Sequence, residues 1–154
     1  EYKSGGSAFS KKPEYLRRVA EICREYNLEP KGVILTINPD RIIENVNFIR
    51  ENYGDAYVDR MILSQVPERL RLVMPYLEEN GMLPVLLNGS SAILSLTLDE
   101  IKFREEILKR EGEDIIVDGK FHPIFGQSKK KFEKFHGETA ASIREEQSKK
   151  GTKV

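Results

Sequence analysis

The chain has 154 residues, 39% hydrophobic and 32% charged, which is enough apolar material for one ordinary domain with a core of its own. Lys+Arg and Asp+Glu both number 25, so the formal net charge is zero. That excludes a polyanion binder working through an overall positive excess; any nucleic-acid role needs its positive charge gathered on one face.

A single cysteine, Cys23, rules out an internal disulfide and points to a reducing intracellular compartment, the cytoplasm or an organelle matrix. No apolar run approaches the roughly 20 residues needed to cross a bilayer, so no membrane partner is expected. No signal peptide is visible. The chain opens on Glu1 with Ser-Gly-Gly at 4–6, as expected of a fragment, a processed chain or a junction, and residues 1–11 are expected to form a flexible segment.

Four stretches then overlay one another: residues 12–27, 38–54, 66–81 and 97–112. Three start on proline and an acid, Pro13-Glu14, Pro39-Asp40 and Pro67-Glu68; the fourth has Leu98-Asp99 there. Proline suits the first position of a helix, where its missing N–H has no partner to lose, and an acid beside it complements the positive end of the helix dipole. Asn38 and Thr97 are good N-caps, and Thr97 with Glu100 has the capping-box spacing, whereas Lys12 and Val66 are poor caps. Gly54, Gly81 and Gly112 suit the left-handed position beyond a helix end. Between these ends the apolar residues recur at helical spacing, as in Ile42, Val46, Ile49 and Tyr53. Pro75 should kink or shorten the third long helix.

Shorter apolar pieces lie between, at residues 33–37, 57–63 and 83–96, the last split at Asn88-Gly89 with Ser90 or Ser91 capping its second half. They read as short helices packed on the long ones. Such a pair cannot bury its apolar side alone, and stacked pairs form a solenoid. After Gly112 the pattern changes. Asp118-Gly119 between apolar runs predicts a β-hairpin, 115–117 with 120–122. A short helix over 128–137, capped by Ser128, and a charged helix over 139–150 with a fraying end complete the chain.

The expected fold is therefore mainly α: an α-solenoid of three to four short helical-hairpin repeats over 12–112, a β-hairpin with a short basic helix over 113–137, and a charged C-terminal helix or tail over 138–154. A short apolar helix, a proline, a striped long helix and a glycine, repeated about every 30 residues, resembles the repeats of the mitochondrial transcription termination factor family. Leu35, Pro39, Ile42, Ile49 and Gly54 carry the likeness in one unit; Leu63, Pro67, Leu70, Leu77 and Gly81 in the next; Leu94, Leu98, Ile101, Leu108 and Gly112 in the third. The resemblance implies a curved superhelix that binds double-stranded DNA or structured RNA along a basic face. Net neutrality, few repeats and the appended hairpin and lysine-rich tail depart from that pattern.

Enzymatic chemistry finds little support. His122 and His136 are 14 residues apart with no cysteine near them, so no zinc spacing appears, and both are expected to be surface or half-buried residues. Cys23 is expected to be a small core residue. Residues 88–95, Asn-Gly-Ser-Ser-Ala-Ile-Leu-Ser, lack the spacing and the lysine of a phosphate loop. Glu78/Glu79 and Glu105/Glu106 are adjacent on helices and do not face each other. No catalytic residue, metal, cofactor or small-molecule substrate is expected.

The basic cluster carries more information. Between Gly119 and Gly137 lie five lysines, Lys120, Lys129, Lys130, Lys131 and Lys134, and one acid, Glu133, interleaved with Phe121, Phe125, Phe132 and Phe135. Lysines neutralise phosphates and aromatic rings stack on unpaired bases. Phe132 and Phe135 are expected to pack inward; the lysines suit a phosphate-binding face and a plain solvated face equally. Arg17, Arg18, Arg24, Arg41, Arg50, Arg60, Arg69 and Arg71 could line one groove if the repeats stack, and of these Arg41, Arg69 and Arg71 join the candidate interface. Two functions are left: a non-enzymatic module binding DNA or RNA, part of a larger transcription or replication protein, or a scaffold gripping a protein segment in a concave groove.

Overall fold

The structure, a computed structural model, describes residues 13–30, 32–89 and 91–151. The expected flexible segment at 1–11 and the Ser90 cap lie outside them. The described chain is mainly helical, with one small antiparallel sheet and a long C-terminal helix. It forms two compact units that meet in sequence at Glu79 and Asn80, inside the stretch expected as a single repeat domain.

The first unit contains α1 (Pro13–Glu25), a 3₁₀ helix at Gly32–Thr36, α2 (Pro39–Asn52), a 3₁₀ turn at Asp55–Tyr57, α3 (Arg60–Leu63) and α4 (Pro67–Glu79). Each of the three long helices begins on its proline. At α2 the Asn38 side chain accepts from the Asp40 N–H at 2.8 Å, which satisfies one of the free donors of the first turn. Its end is closed by Tyr53 and Gly54, whose N–H groups both reach the Ile49 carbonyl; Gly54 has φ +90 there, a conformation that strains any residue with a side chain. Ile42, Val46 and Ile49 are fully buried along one face, and Val19, Ile22, Cys23, Ile34 and Leu63 join Ile42 and Val46 in one apolar cluster. Pro75 does not shorten α4, which runs on to Glu79 with Met74 and Leu77 buried on either side of the proline.

The short helices of this unit end on carbonyls that they cannot satisfy themselves, and the preceding long helix supplies the donors. The Tyr15 hydroxyl of α1 donates to the Ile37 carbonyl. Asn45 of α2, itself buried, donates to the Leu63 and Gln65 carbonyls at 2.8 Å each, and Arg41 reaches Ser64 at 3.4 Å.

The second unit opens with 3₁₀ helices at Leu83–Asn88 and Ser91–Ser95, split at Gly89 as the sequence predicts. Then come α5 (Leu98–Glu111), β1 (Ile116–Val117), β2 (Lys120–Phe121), a 3₁₀ turn at Pro123–Gly126 and α6 (Lys129–Gly151). Thr97 caps α5 by accepting from the Glu100 N–H at 3.2 Å, and Gly112 ends it at φ +72. The hairpin pairs Ile116 with Phe121 and Val117 with Lys120 around Asp118 (φ +52) and Gly119 (φ +76), both left-handed as a two-residue turn demands. The Asn88 amide donates to the Gly119 carbonyl at 2.7 Å, and Phe121 packs edge-on against Phe125, so this small sheet does not stand alone.

The expected stop at Gly137, with a second helix from 139, is corrected: α6 is one helix of 23 residues and Gly137 lies inside it. Its buried stripe, Phe132, His136, Ala140 and Ile143, crosses the glycine without interruption. Packing on α5 outweighs the roughly 1 kcal/mol that a mid-helix glycine costs relative to alanine. The ties are specific. Glu111 accepts from His136 Nδ1 and from the Thr139 hydroxyl, both at 2.8 Å; Arg110 forms a two-pronged pair with Glu146 at 2.9 and 2.6 Å. Arg104 of α5 donates to the Ile124 carbonyl, pairs with Glu100 at 2.9 Å and lies 4.6 Å from the Phe132 ring centroid.

The donor role of Asn45 is testable. Asn45→Ala leaves two carbonyls without their donor and should lower unfolding free energy by about 2–4 kcal/mol in urea titration. Asn52→Ala, which removes only a bond to Phe48 on the exposed face, should change it by less than about 0.5 kcal/mol.

Candidate nucleic-acid interface

The eight basic candidates divide between the units. Arg41, Arg69 and Arg71 stand in the first, and none offers a bare guanidinium. Arg71 is paired with Glu44 at 2.6 Å, Arg41 is half-buried against the Ser64 carbonyl, and Arg69 is half-buried with an interaction partner of its own. Of the other arginines that could line a groove, Arg50 is bound to Asp55 at 2.7 Å.

The five lysines all belong to the second unit and are all exposed. Among the described residues, none of Lys120, Lys129, Lys130, Lys131 and Lys134 forms an ion pair. Four of them fall within the first two turns of α6. Ser128 caps that helix, its hydroxyl accepting from the Lys131 N–H at 3.4 Å, and the first turn carries no acid. Helix dipoles favour negative charge at this end, so three successive lysines oppose the local field. Lys130 and Lys134 are four residues apart and share a face opposite the buried stripe; Lys131 lies beside them.

The aromatic residues here do not behave alike. Phe132 is 3% exposed, as expected, with Arg104 on its ring. Phe135 is 60% exposed, which corrects the inward packing expected of it. The reason is the continuity of α6: once Phe132, His136, Ala140 and Ile143 set the inner stripe, position 135 falls outside it. Lys134 Nζ sits 5.5 Å from the Phe135 ring centroid.

Elsewhere in this unit the charge is mixed. An open groove of about 550 Å³ between α5 and α6 is lined by Asp99, Glu100 and Glu106 as well as Lys102 and Arg144. Arg144 is already drawn over Phe103, 5.0 Å from its centroid. The groove therefore does not present one sign of charge to a polyanion.

The histidines come together, although nothing in their sequence spacing signals it. Their rings meet edge to face at 6.3 Å, each with its own carboxylate. His122 Nδ1 accepts from the Ile124 N–H at 3.0 Å, so its proton is on Nε2 and is donated to Glu113 at 2.9 Å. His136 is buried, which corrects the surface or half-buried place expected of it, and is bonded to Glu111. Both rings serve as struts between the end of α5, the turn before α6 and α6 itself. Among the described residues no group of three or more His, Cys, Asp and Glu side chains is arranged to hold a metal ion. Cys23 lies in the apolar cluster of the first unit, and burial pushes its thiol above its ordinary pKa, away from the thiolate that a nucleophile needs.

Comparison with family models, with curated proteins and with solved structures returns no match for this chain. The case for its function therefore rests on this geometry.

The state of Cys23 gives a direct check. In the native chain at neutral pH it should stay unmodified by Ellman's reagent over a period in which the urea-unfolded chain reacts completely. Prompt native reaction would mean that the thiol is not in the core.

Proposed function

We propose that this chain is a non-enzymatic nucleic-acid-binding module, part of a larger transcription or replication protein, and that the N-terminal part of α6 is its contact face. One observation carries the proposal: a run of exposed lysines, free of ion pairs among the described residues, at the start of a helix where the dipole disfavours them, in a chain whose net charge is zero. Phosphates placed there meet both the ammonium groups and the free N–H groups of the first turn. The arginines of the first unit contribute less, since Arg71 and Arg41 already have partners.

We read the alternation of short and long helices as solenoid repeats of the kind found in mitochondrial transcription termination factors. Supporting this are the proline–acid helix starts, the left-handed glycines after the long helices, and the recurrent bond from a long helix to the carbonyls ending the next short one. A second function, a scaffold for a protein segment, is favoured by the paired arginines and by Leu72, which stands exposed beside Arg71 on α4.

Charge reversal of Lys129, Lys130 and Lys131 to Glu separates these readings. Binding to a labelled oligonucleotide should weaken, and the slope of log K against log salt should flatten by roughly 0.7–0.9 for each lysine that meets a phosphate. The melting temperature should not fall, because acids in the first turn suit the dipole better. Unchanged affinity, or no oligonucleotide binding by the wild type even at low salt, would leave the scaffold ahead.

A further inference from the structure

We infer that the ligand of the α6 face contains an unpaired nucleobase, which stacks on Phe135 while its neighbouring phosphates meet Lys131 and Lys134. This rests on the nucleic-acid reading of the face and narrows its substrate to single-stranded nucleic acid. On α6 the apolar stripe that packs against the rest of the unit is complete without Phe135, yet a full phenyl ring is left 60% exposed. A ring left in water forgoes the stabilisation that its burial would bring. The surroundings of the ring select the occupant. Lys134 holds its ammonium 5.5 Å from the ring centroid, Lys131 precedes Phe135 by one helical turn on the same side, and Lys130 lies next to both lysines. An exposed acid, Glu138, comes three residues after Phe135, so the positive track runs from the ring toward the N-terminus of α6. An apolar protein segment would complement the ring but not the lysines. Duplex DNA would complement the lysines but not the ring, because its base faces are already stacked. A single strand offers both a bare π-face and flanking phosphates. DNA and RNA share this chemistry.

The chain contains no tryptophan, so Phe135→Trp places a single indole, excited at long wavelength apart from the six tyrosines, at the ring position, on a surface where folding does not depend on it. Fluorescein-labelled oligothymidylate and oligouridylate of about 12 nucleotides, within the usual site sizes, and a duplex of equal length would be titrated into the full chain by anisotropy. The single strands should bind more tightly than the duplex. Phe135→Ala should lose about tenfold in single-strand affinity, with duplex affinity and salt slope unchanged. Phe135→Trp should keep the affinity, and unlabelled oligonucleotide should quench its emission. Wild-type affinity in Phe135→Ala, or bright tryptophan emission in a complex that anisotropy shows to be formed, would overturn stacking and leave the lysine face standing. Absence of binding by any of the oligonucleotides at low salt would overturn both.

Discussion

Short helices depend on side chains from elsewhere to satisfy their last carbonyls, and much of this structure is set by how that need is met. A helix of four or five residues makes almost no internal hydrogen bonds of its own, and several of its carbonyls remain open. Buried carbonyls cannot turn to water, so donors must come from the protein. Tyr15 supplies Ile37, Asn45 supplies Leu63 and Gln65, Arg41 supplies Ser64, and in the second unit Arg104 supplies Ile124 ahead of α6. The donor precedes its carbonyl by 22, 18, 20, 23 and 20 residues respectively, a nearly constant reach of one long helix and one connection. The donor types differ, a phenol, an amide and a guanidinium, although the task is the same. That is why the repetition shows in the spacing of prolines and glycines and not in matched polar residues.

In the second unit the same logic settles where charge is left over. Glu100 holds Arg104, Glu106 and Glu146 hold Arg110, Glu111 holds His136 and Thr139, and Glu113 holds His122. Glu111 and Glu146 tie α5 to α6, Glu113 ties the chain after α5 to His122, and Glu100 and Glu106 hold their arginines within α5. These acids are thereby engaged away from the lysines at 129–134; of the acids on that stretch of α6, Glu133 lies 3.9 Å from Arg144 and Glu138 is exposed. Arg110 holds the Glu146 carboxyl below the usual carboxylate range by a two-pronged hydrogen bond. A carboxyl depressed in the folded state contributes stability above its unfolded pKa and loses it as pH falls through the folded one, so this strap outlasts ordinary surface acids on acidification.

What was legible in the sequence was local. Proline with an acid marked the starts of α1, α2 and α4; Asn38 and Thr97 marked caps; Gly54, Gly81 and Gly112 marked ends, all at positive φ; Asp118-Gly119 marked the hairpin turn. Each depends on backbone geometry within four or five residues. Gly137 carried the same mark as Gly112 and meant something else, because its fate is decided by α5, more than twenty residues away in sequence. The exposure of Phe135 was hidden by the same false stop. Read as a single helix, the spacing of Phe132, His136, Ala140 and Ile143 places it outside. The meeting of His122 with His136 had no local signature at all, since it requires the hairpin, the turn and two helices to be in place.

Residues 129–137 break three rules of helix design within nine positions. Three lysines face the positive end of the dipole, a phenylalanine stands in water, and a glycine sits in mid-helix. Among the described residues the lysines form no ion pairs, and the phenyl ring has the Lys134 ammonium beside it and remains largely bare. Elsewhere in the unit caps, left-handed glycines and paired acids stand where they are needed, although Leu87, Ile116 and Val117 are also exposed. Local choices that disagree with stability are expected at functional or strained sites, and the proposed contact face rests on those within residues 129–137. The firm anchoring of the inner face of α6, through Arg104 on Phe132 and Glu111 on His136, is what lets its outer face carry that burden without loss of the helix.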